Sequence, residues 1–392
     1  MSWMTDSFAP KVNKIAKNAW VASIQDAILT AMPMIFIGSF ATILSIVKDF
    51  WKGFPDFSMI STFSFGLFSI FLAYLIPESI MNHKGHKGVS KQAGLAGLAF
   101  FLMLVYPQIT ADGHIKFDLN TFGTGGMIAA LIAGLFVGFV MNLFSKWKFI
   151  GEDSPIPDFV AVWFNTLIPI IVILLIGWIF TFEMNINVYD VVNSIFSPLI
   201  HLGQSFWGFV LIFFLGFSFL YTFGISSWVL YPVQTAIALP AIAENQANFA
   251  AGKAVTNIFT VETGSLFLIG GGGATLALCI MLAFMAKSQR LRMIGKASLV
   301  PSIFNINEPI VFGAPIAFNP ILMIPMWING LLGPILTWFV MKIGLVPIPH
   351  EPFQLWYLPG PIQNWIITAS FIGLIYFIVL FVLSWIVYYP FF

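Results

Sequence analysis

FVAVWFNTLIPIIVILLIGWIFTF, Phe159 to Phe182, contains no charged side chain. A helix through it rises 1.5 Å per residue and reaches about 36 Å, more than the ~30 Å hydrocarbon core of a bilayer. Asn364–Tyr388 is a second uncharged run of this kind. In lipid every backbone N–H and C=O needs an internal partner, so only helices and closed barrels cross. Barrel strands are roughly ten alternating residues long, and these runs are longer and do not alternate. Composition agrees. Of 392 residues, 59% are hydrophobic and 8% charged, with a mean hydropathy of +0.93, whereas soluble domains carry about 25% charged residues. The expected fold is an all-α polytopic membrane protein.

Working outward, further candidate spans are Asp26–Val47, Phe63–Ile80, Lys91–Tyr106, Thr121–Phe144, Gly203–Phe223, Ser265–Met285 and Pro315–Val340, with broken apolar segments over Ile225–Ala250 and Ala297–Phe312. Asn185–His201 is more polar and places Ile186, Val188, Val191, Val192, Ile195 and Phe196 along one helical stripe, as an interfacial connector does. It divides the chain into an N-terminal half, 1–184, a connector, 185–202, and a C-terminal half, 203–392. Met1–Trp20 is polar and basic and leads into a span too long for a signal peptide, so no cleaved leader is expected.

Charge distribution sets orientation. Lys11, Lys14, Lys17, Lys84, Lys87, Lys91, Lys146, Lys148 and the four basic residues of KSQRLRMIGK (Lys287–Lys296) fall in loops that share one side, against Lys48, Lys52 and Lys116 opposite. The positive-inside rule therefore places the N-terminus in the cytoplasm. A net charge of +1 gives no sign of nucleic acid. A single cysteine, Cys279, excludes a disulfide framework and reads as a small buried hydrophobe. No metal or cofactor is called for.

Acids inside apolar sequence need an account, since one at a helix centre costs about 2.5–3.5 kcal/mol on insertion scales. Asp26 and Glu78 can meet water at span ends, and Glu244 sits in PAIAENQANF, polar enough for a hairpin tip. Glu308 lies in FNINEPIVFGAPIAFNP, Phe304–Pro320, with no Lys or Arg within ten residues. Pro309 disfavours helix at the residue before it, and irregular backbone at membrane depth survives only inside protein or beside a watery cavity. Asn305, Asn307 and Glu308 thus read as the tip of a re-entrant hairpin offering amides and a carboxylate to a hydroxyl-rich ligand. The alternative is a kinked helix with Glu308 paired to a basic residue. LIGGGGATL, Leu268–Leu276, lacks the Lys-Ser/Thr of a nucleotide-binding loop and reads as an unwound turn or a close helix approach. Trp228 and Trp356 adjoin broken segments, where an indole either stacks on a sugar or belongs to the interfacial belt.

Gly270–Ile328, with its GGGGATL and NINEP runs, closely resembles the membrane IIC component of the bacterial phosphotransferase system, lactose/cellobiose family, and QDAILTAMPMIFIGSF, Gln25–Phe40, is similar to that family's first span. The resemblance covers about residues 8–390. It implies about ten transmembrane helices plus two re-entrant hairpins in two halves, with the N-terminal half forming a homodimer. The C-terminal half carries one sugar, typically a β-linked disaccharide such as cellobiose, across the bacterial cell membrane. A separate cytoplasmic IIB, fed by IIA, phosphorylates the sugar at C6 from a phosphocysteine, which mid-span Cys279 cannot replace. The chain is then the membrane subunit of a sugar phosphotransferase. Glu308 matches the glutamate near the C6 hydroxyl and is the candidate catalytic base.

Two departures stand out. Where the family has Gly-Ile-His-Gly, this chain has GISS, so Ser226, with Ser227 and Trp228 beside it, occupies the histidine's place; a hydroxyl can bond a sugar but cannot serve as an imidazole base. The later segment VPIPHEPFQLWYLP, Val346–Pro359, brings His350, Glu351 and Trp356 into a region expected near the ligand. His350 is either a stand-in for the missing histidine or a solvated loop residue. The alternative function is a facilitator or ion-coupled sugar carrier that no longer couples to phosphorylation. A sugar receptor without transport has no signalling domain in this sequence to support it.

Overall fold

The computed structural model describes residues 14, 18–147, 150, 155, 157–225, 230–314 and 316–392. Among the described residues it is mostly helical, and its strands form one antiparallel two-residue pair, Gln108–Ile109 and Ile115–Lys116. Among the described residues six helices are long and apolar enough to cross a membrane: Ser58–His83, Thr124–Phe144, Val160–Glu183, Phe206–Phe223, Pro320–Lys342 and Phe371–Phe391. Ala19–Ile35 and Leu276–Met285 are shorter apolar helical stretches.

The last helix shows why these segments belong in lipid. Phe371, Ile375, Ile378, Val382 and Ile386 form an exposed stripe, while Gly373, Tyr376, Phe377, Leu380, Ser384 and Tyr388 are buried. Each face repeats at helical spacing. Leaving a large apolar face open to water costs roughly 25 cal/mol per Å², and hydrocarbon removes that cost.

The chain divides into two compact units, and the division runs through the long first helix, Ala19–Phe50. One unit takes that helix as far as Gly38 together with Asp56–Pro198. Its helices approach closely at small residues: a β-carbon on Gly97 would lie 2.2 Å from the Ala73 carbonyl oxygen, and one on Gly134 would lie 2.8 Å from Ile76. Asp26, about two turns into the first helix, is exposed and bonds His83, the last residue of the span Ser58–His83, at 2.7 Å, so that acid has a partner.

The other unit comprises Ser39–Pro55 and Leu199–Phe392. Here two expectations change. The span expected over Ser265–Met285 is interrupted: Val261–Phe267 ends, Gly270–Thr275 turns, and Leu276–Met285 begins a new helix. Gly270, Gly271 and Gly273 have φ of +73°, +96° and +72°, which only glycine adopts cheaply, so no helix runs through them. Conversely the segment expected to be broken over Ile225–Ala250 contains an unbroken helix, Tyr231–Ala250, with Pro240 inside it. Ala238, Leu239, Ala241 and Ile242 are all buried around that proline, and packing of this kind holds helices that proline alone would break.

Candidate functional site

A cavity of about 320 Å³ lies inside the second unit. One wall is the span Phe206–Phe223, which contributes Phe213, Phe217 and Tyr221 at four-residue intervals. That span is not regular: Leu215–Phe219 forms a π turn, closed by Leu220 N–H donating to the Leu215 carbonyl at 3.0 Å. Single π turns of this kind gather at functional sites because they re-aim the side chains that follow. A second wall is formed by the helices Tyr231–Ala250 and Val261–Phe267, which bring Tyr231, Gln234, Ala238, Val261 and Ser265, with Phe259 just before the short helix.

The floor is the meeting of two unwound segments. Phe304–Asn307 breaks the helix Gln289–Ile303 from the short helix Glu308–Gly313. Asn305 sits at φ +62°, a conformation asparagine tolerates better than most residues. Its side chain is fully engaged. Asn305 Oδ1 accepts from Gly270 N–H at 2.9 Å, and Nδ2 donates to the carbonyls of Trp356 and Leu358 at 2.8 and 2.9 Å and to Gln363 Oε1 at 3.1 Å. Asn307 Nδ2 likewise donates to Gly272 O at 2.8 Å and Thr275 Oγ1 at 3.0 Å, while its Oδ1 accepts from the Tyr221 hydroxyl at 3.3 Å. The glycines admit these amides: a β-carbon on Gly271 would lie 2.5 Å from Asn307 Cγ. From behind, Tyr388 and Ser384 hydroxyls donate to the carbonyls of Gly273 and Ala274 at 2.8 and 2.7 Å.

Glu308 follows directly. It opens its short helix, with Pro309 in the first turn where the missing N–H costs nothing. It lines the cavity, is solvent-accessible and faces the Tyr221 phenol. Among the described residues the one ion pair is His83–Asp26, and none involves Glu308. Gln234 is 4% exposed, and its Nε2 has no partner among the described residues. A carboxylate, two phenols, an amide donor and an indole converging on aromatic walls suit a ligand rich in hydroxyls and ring faces.

The residues picked out from sequence separate into three sets. Asn305, Asn307, Glu308 and Trp356 line the cavity. Ser226, Ser227 and Trp228 lie outside the described residues. His350 and Glu351 are not in the lining: the His350 ring stacks on Phe249 with centroids 3.7 Å apart, and Glu351 accepts from Gln246 Nε2 at 3.0 Å. Sequence reasoning did not find Phe213, Phe217, Tyr221, Tyr231, Gln234, Phe259 or Ser265. An aromatic at every fourth position through 213, 217 and 221 was the available signal, and in a chain with 17% aromatic residues it does not stand out.

Comparison with known proteins points one way. The family model described as phosphotransferase system, EIIC, matches residues 25–330. The lichenan permease IIC component of Bacillus subtilis is 28% identical over 99% of this chain and 92% of its own. The lactose-specific EIICB component of Staphylococcus aureus is 29% identical, covering 97% of this chain and 70% of that protein. Among solved structures, the transporter ChbC, the IIC component from the N,N'-diacetylchitobiose-specific phosphotransferase system, superposes with a TM-score of 0.89 at 26% identity, over 99% of this chain and 96% of ChbC.

Proposed function

The chain belongs to the phosphotransferase system EIIC family of membrane-embedded sugar permeases, and from that premise we propose that it binds a β-linked disaccharide in the 320 Å³ cavity and presents the C6 hydroxyl beside Glu308 to a phosphorylated cytoplasmic IIB. The observation that carries this reading is a solvent-accessible carboxylate with no described counter-cation, held in the wall of a cavity inside the bilayer-spanning unit. Support for a β-linked sugar comes from the lichenan and N,N'-diacetylchitobiose relatives, and support for IIB from a lactose relative in which IIC and IIB are one chain.

In this reading phosphoryl transfer forms a bond from the sugar O6 to phosphorus as the phosphorus–sulfur bond to IIB breaks, and the thiolate leaves. The hydroxyl proton passes to Glu308 and then to water. A positioned base of this type contributes roughly 10²–10⁴-fold. Trp356 offers a face for a sugar ring and Gln234 a donor for a hydroxyl. IIA upstream, a homodimer through the N-terminal half, a bacterial cell-membrane location and a cytoplasmic N-terminus complete the proposal.

Sugar recovered from vesicles, with and without phosphorylated IIB, tests it. A panel of cellobiose, lactose, mannobiose and N,N'-diacetylchitobiose is expected to yield a 6-phosphate only when IIB is supplied. Glu308→Gln is expected to keep sugar affinity within about fivefold while phosphorylation falls at least a hundredfold. Unmodified sugar inside, driven by a proton or sodium gradient, would instead establish the carrier reading.

A further inference from the structure

The segment 343–359 contains no helix or strand, yet Pro349, Pro352, Phe353, Gln354 and Leu355 within it are buried. Buried backbone must find partners, and an irregular stretch of this length inside a compact unit is uncommon unless it serves a site. Its partners are side chains of the cavity walls. Asn245, fully buried, donates from Nδ2 to the Pro349 carbonyl at 2.9 Å. Asn305 donates to the carbonyls of Trp356 and Leu358. Between these two ties lies Glu262, 0% exposed, in the first turn of the helix Val261–Phe267. Its Oε1 accepts from Phe353 N–H at 2.9 Å and from Gln354 Nε2 at 2.6 Å.

A carboxylate in this position is expensive. Burying one costs several kcal/mol unless hydrogen bonds compensate, and the Phe353 and Gln354 donors both come from this irregular strap, 343–359. Glu262 does not line the cavity, whereas its neighbours Val261 and Ser265 do, as does Trp356 two residues beyond Gln354. The acid therefore joins the short helix Val261–Phe267 to the strap that carries the indole. We propose that Glu262 is a positioning residue, which clamps the strap through Phe353 and Gln354 and so sets Trp356 against the sugar. This rests on the sugar-binding reading above for its functional half; the clamp itself does not.

Two experiments on the full chain, in detergent or nanodiscs, decide it. Hydrogen–deuterium exchange of 352–358 needs no sugar. Protection is expected in the wild type and in Glu262→Gln, whose one remaining oxygen can still accept, and a loss of at least tenfold in Glu262→Ala. Gln354→Ala, which keeps the carboxylate, is expected to lose protection in the same segment and covers the case in which Glu262→Ala does not fold. Unchanged exchange in the variants overturns the clamp.

The second experiment measures KM for cellobiose and turnover with phosphorylated IIB in Glu262→Ala, Trp356→Ala and the double variant. KM is expected to rise about tenfold in each single variant with turnover within threefold, and the double variant is expected to be no worse than Trp356→Ala alone. Fully additive losses show that Glu262 does not act through Trp356, which overturns the positioning role. A wild type that handles no sugar of the panel removes the functional reading, and exchange then judges the clamp alone.

Discussion

Asn305 and Asn307, the amides expected to meet the ligand, line the cavity and also tie the unwound segments together. Each Nδ2 has two protons, and all are directed at protein oxygens. Truncating Asn305 removes its hydrogen bonds to the partly buried carbonyls of Trp356 and Leu358, each worth about 0.5–1.5 kcal/mol net. Asn305→Ala is therefore expected to lower the melting midpoint clearly and to weaken sugar binding secondarily. Asn305→Asp should be worse than alanine, because it turns a charged acceptor oxygen, in place of the Nδ2 donor, towards two carbonyls. Equal melting of wild type and Asn305→Asp would show that these bonds contribute nothing. What the sequence carried was the existence of a polar break at NINEP. It could not show where the amides point, since the partners of Asn305 lie about fifty residues further along at Trp356 and Leu358, and those of Asn307 lie more than thirty residues back at Gly272 and Thr275.

At the scale of elements, the glycine run was legible only as a choice between an unwound turn and a close helix approach, because four consecutive glycines sit poorly in a helix interior, where each costs about 1 kcal/mol relative to alanine. Its packing was not legible. Gly271 combines φ +96° with an Asn307 contact that leaves no room for a β-carbon. Gly252 has a similar φ of +67° but nothing within 4 Å. The pair separates backbone strain from site geometry. Gly252→Ala should cost about 1–2 kcal/mol of stability and leave sugar affinity unchanged. Gly271→Ala should carry that strain and also displace Asn307, so that affinity falls at least tenfold in protein that still elutes as a single species. Equal affinity in the two variants would mean that the Gly271–Asn307 contact does not shape the site. The unbroken helix Tyr231–Ala250 was not expected from the sequence; Pro240 sits inside it, and the residues around that proline are buried. Propensity is local, and this packing is not.

At the scale of the molecule, hydropathy read out the membrane class at once, because an apolar face has to be covered whatever it is covered by. Orientation rests on a weaker and different force, the bias of basic residues towards the cytoplasm. Twelve of the seventeen Lys and Arg residues fall in loops assigned to that side. Cys279 makes the assignment directly measurable, since it is the single cysteine and is completely buried, with Sγ against the Gly295 carbonyl at 3.5 Å. A membrane-impermeant maleimide should leave the wild type essentially unlabelled. Lys287→Cys, at the start of the basic segment, should then label only in inverted vesicles, and Lys116→Cys, on the exposed second strand, only in intact cells. Both substitutions remove one surface charge, which lies within the ±0.5 kcal/mol expected of surface changes, so folding is not the variable. The opposite labelling pattern would turn the molecule over. KSQRLRMIGK would then face away from the cytoplasm, and a cytoplasmic phosphoryl donor could not dock on it.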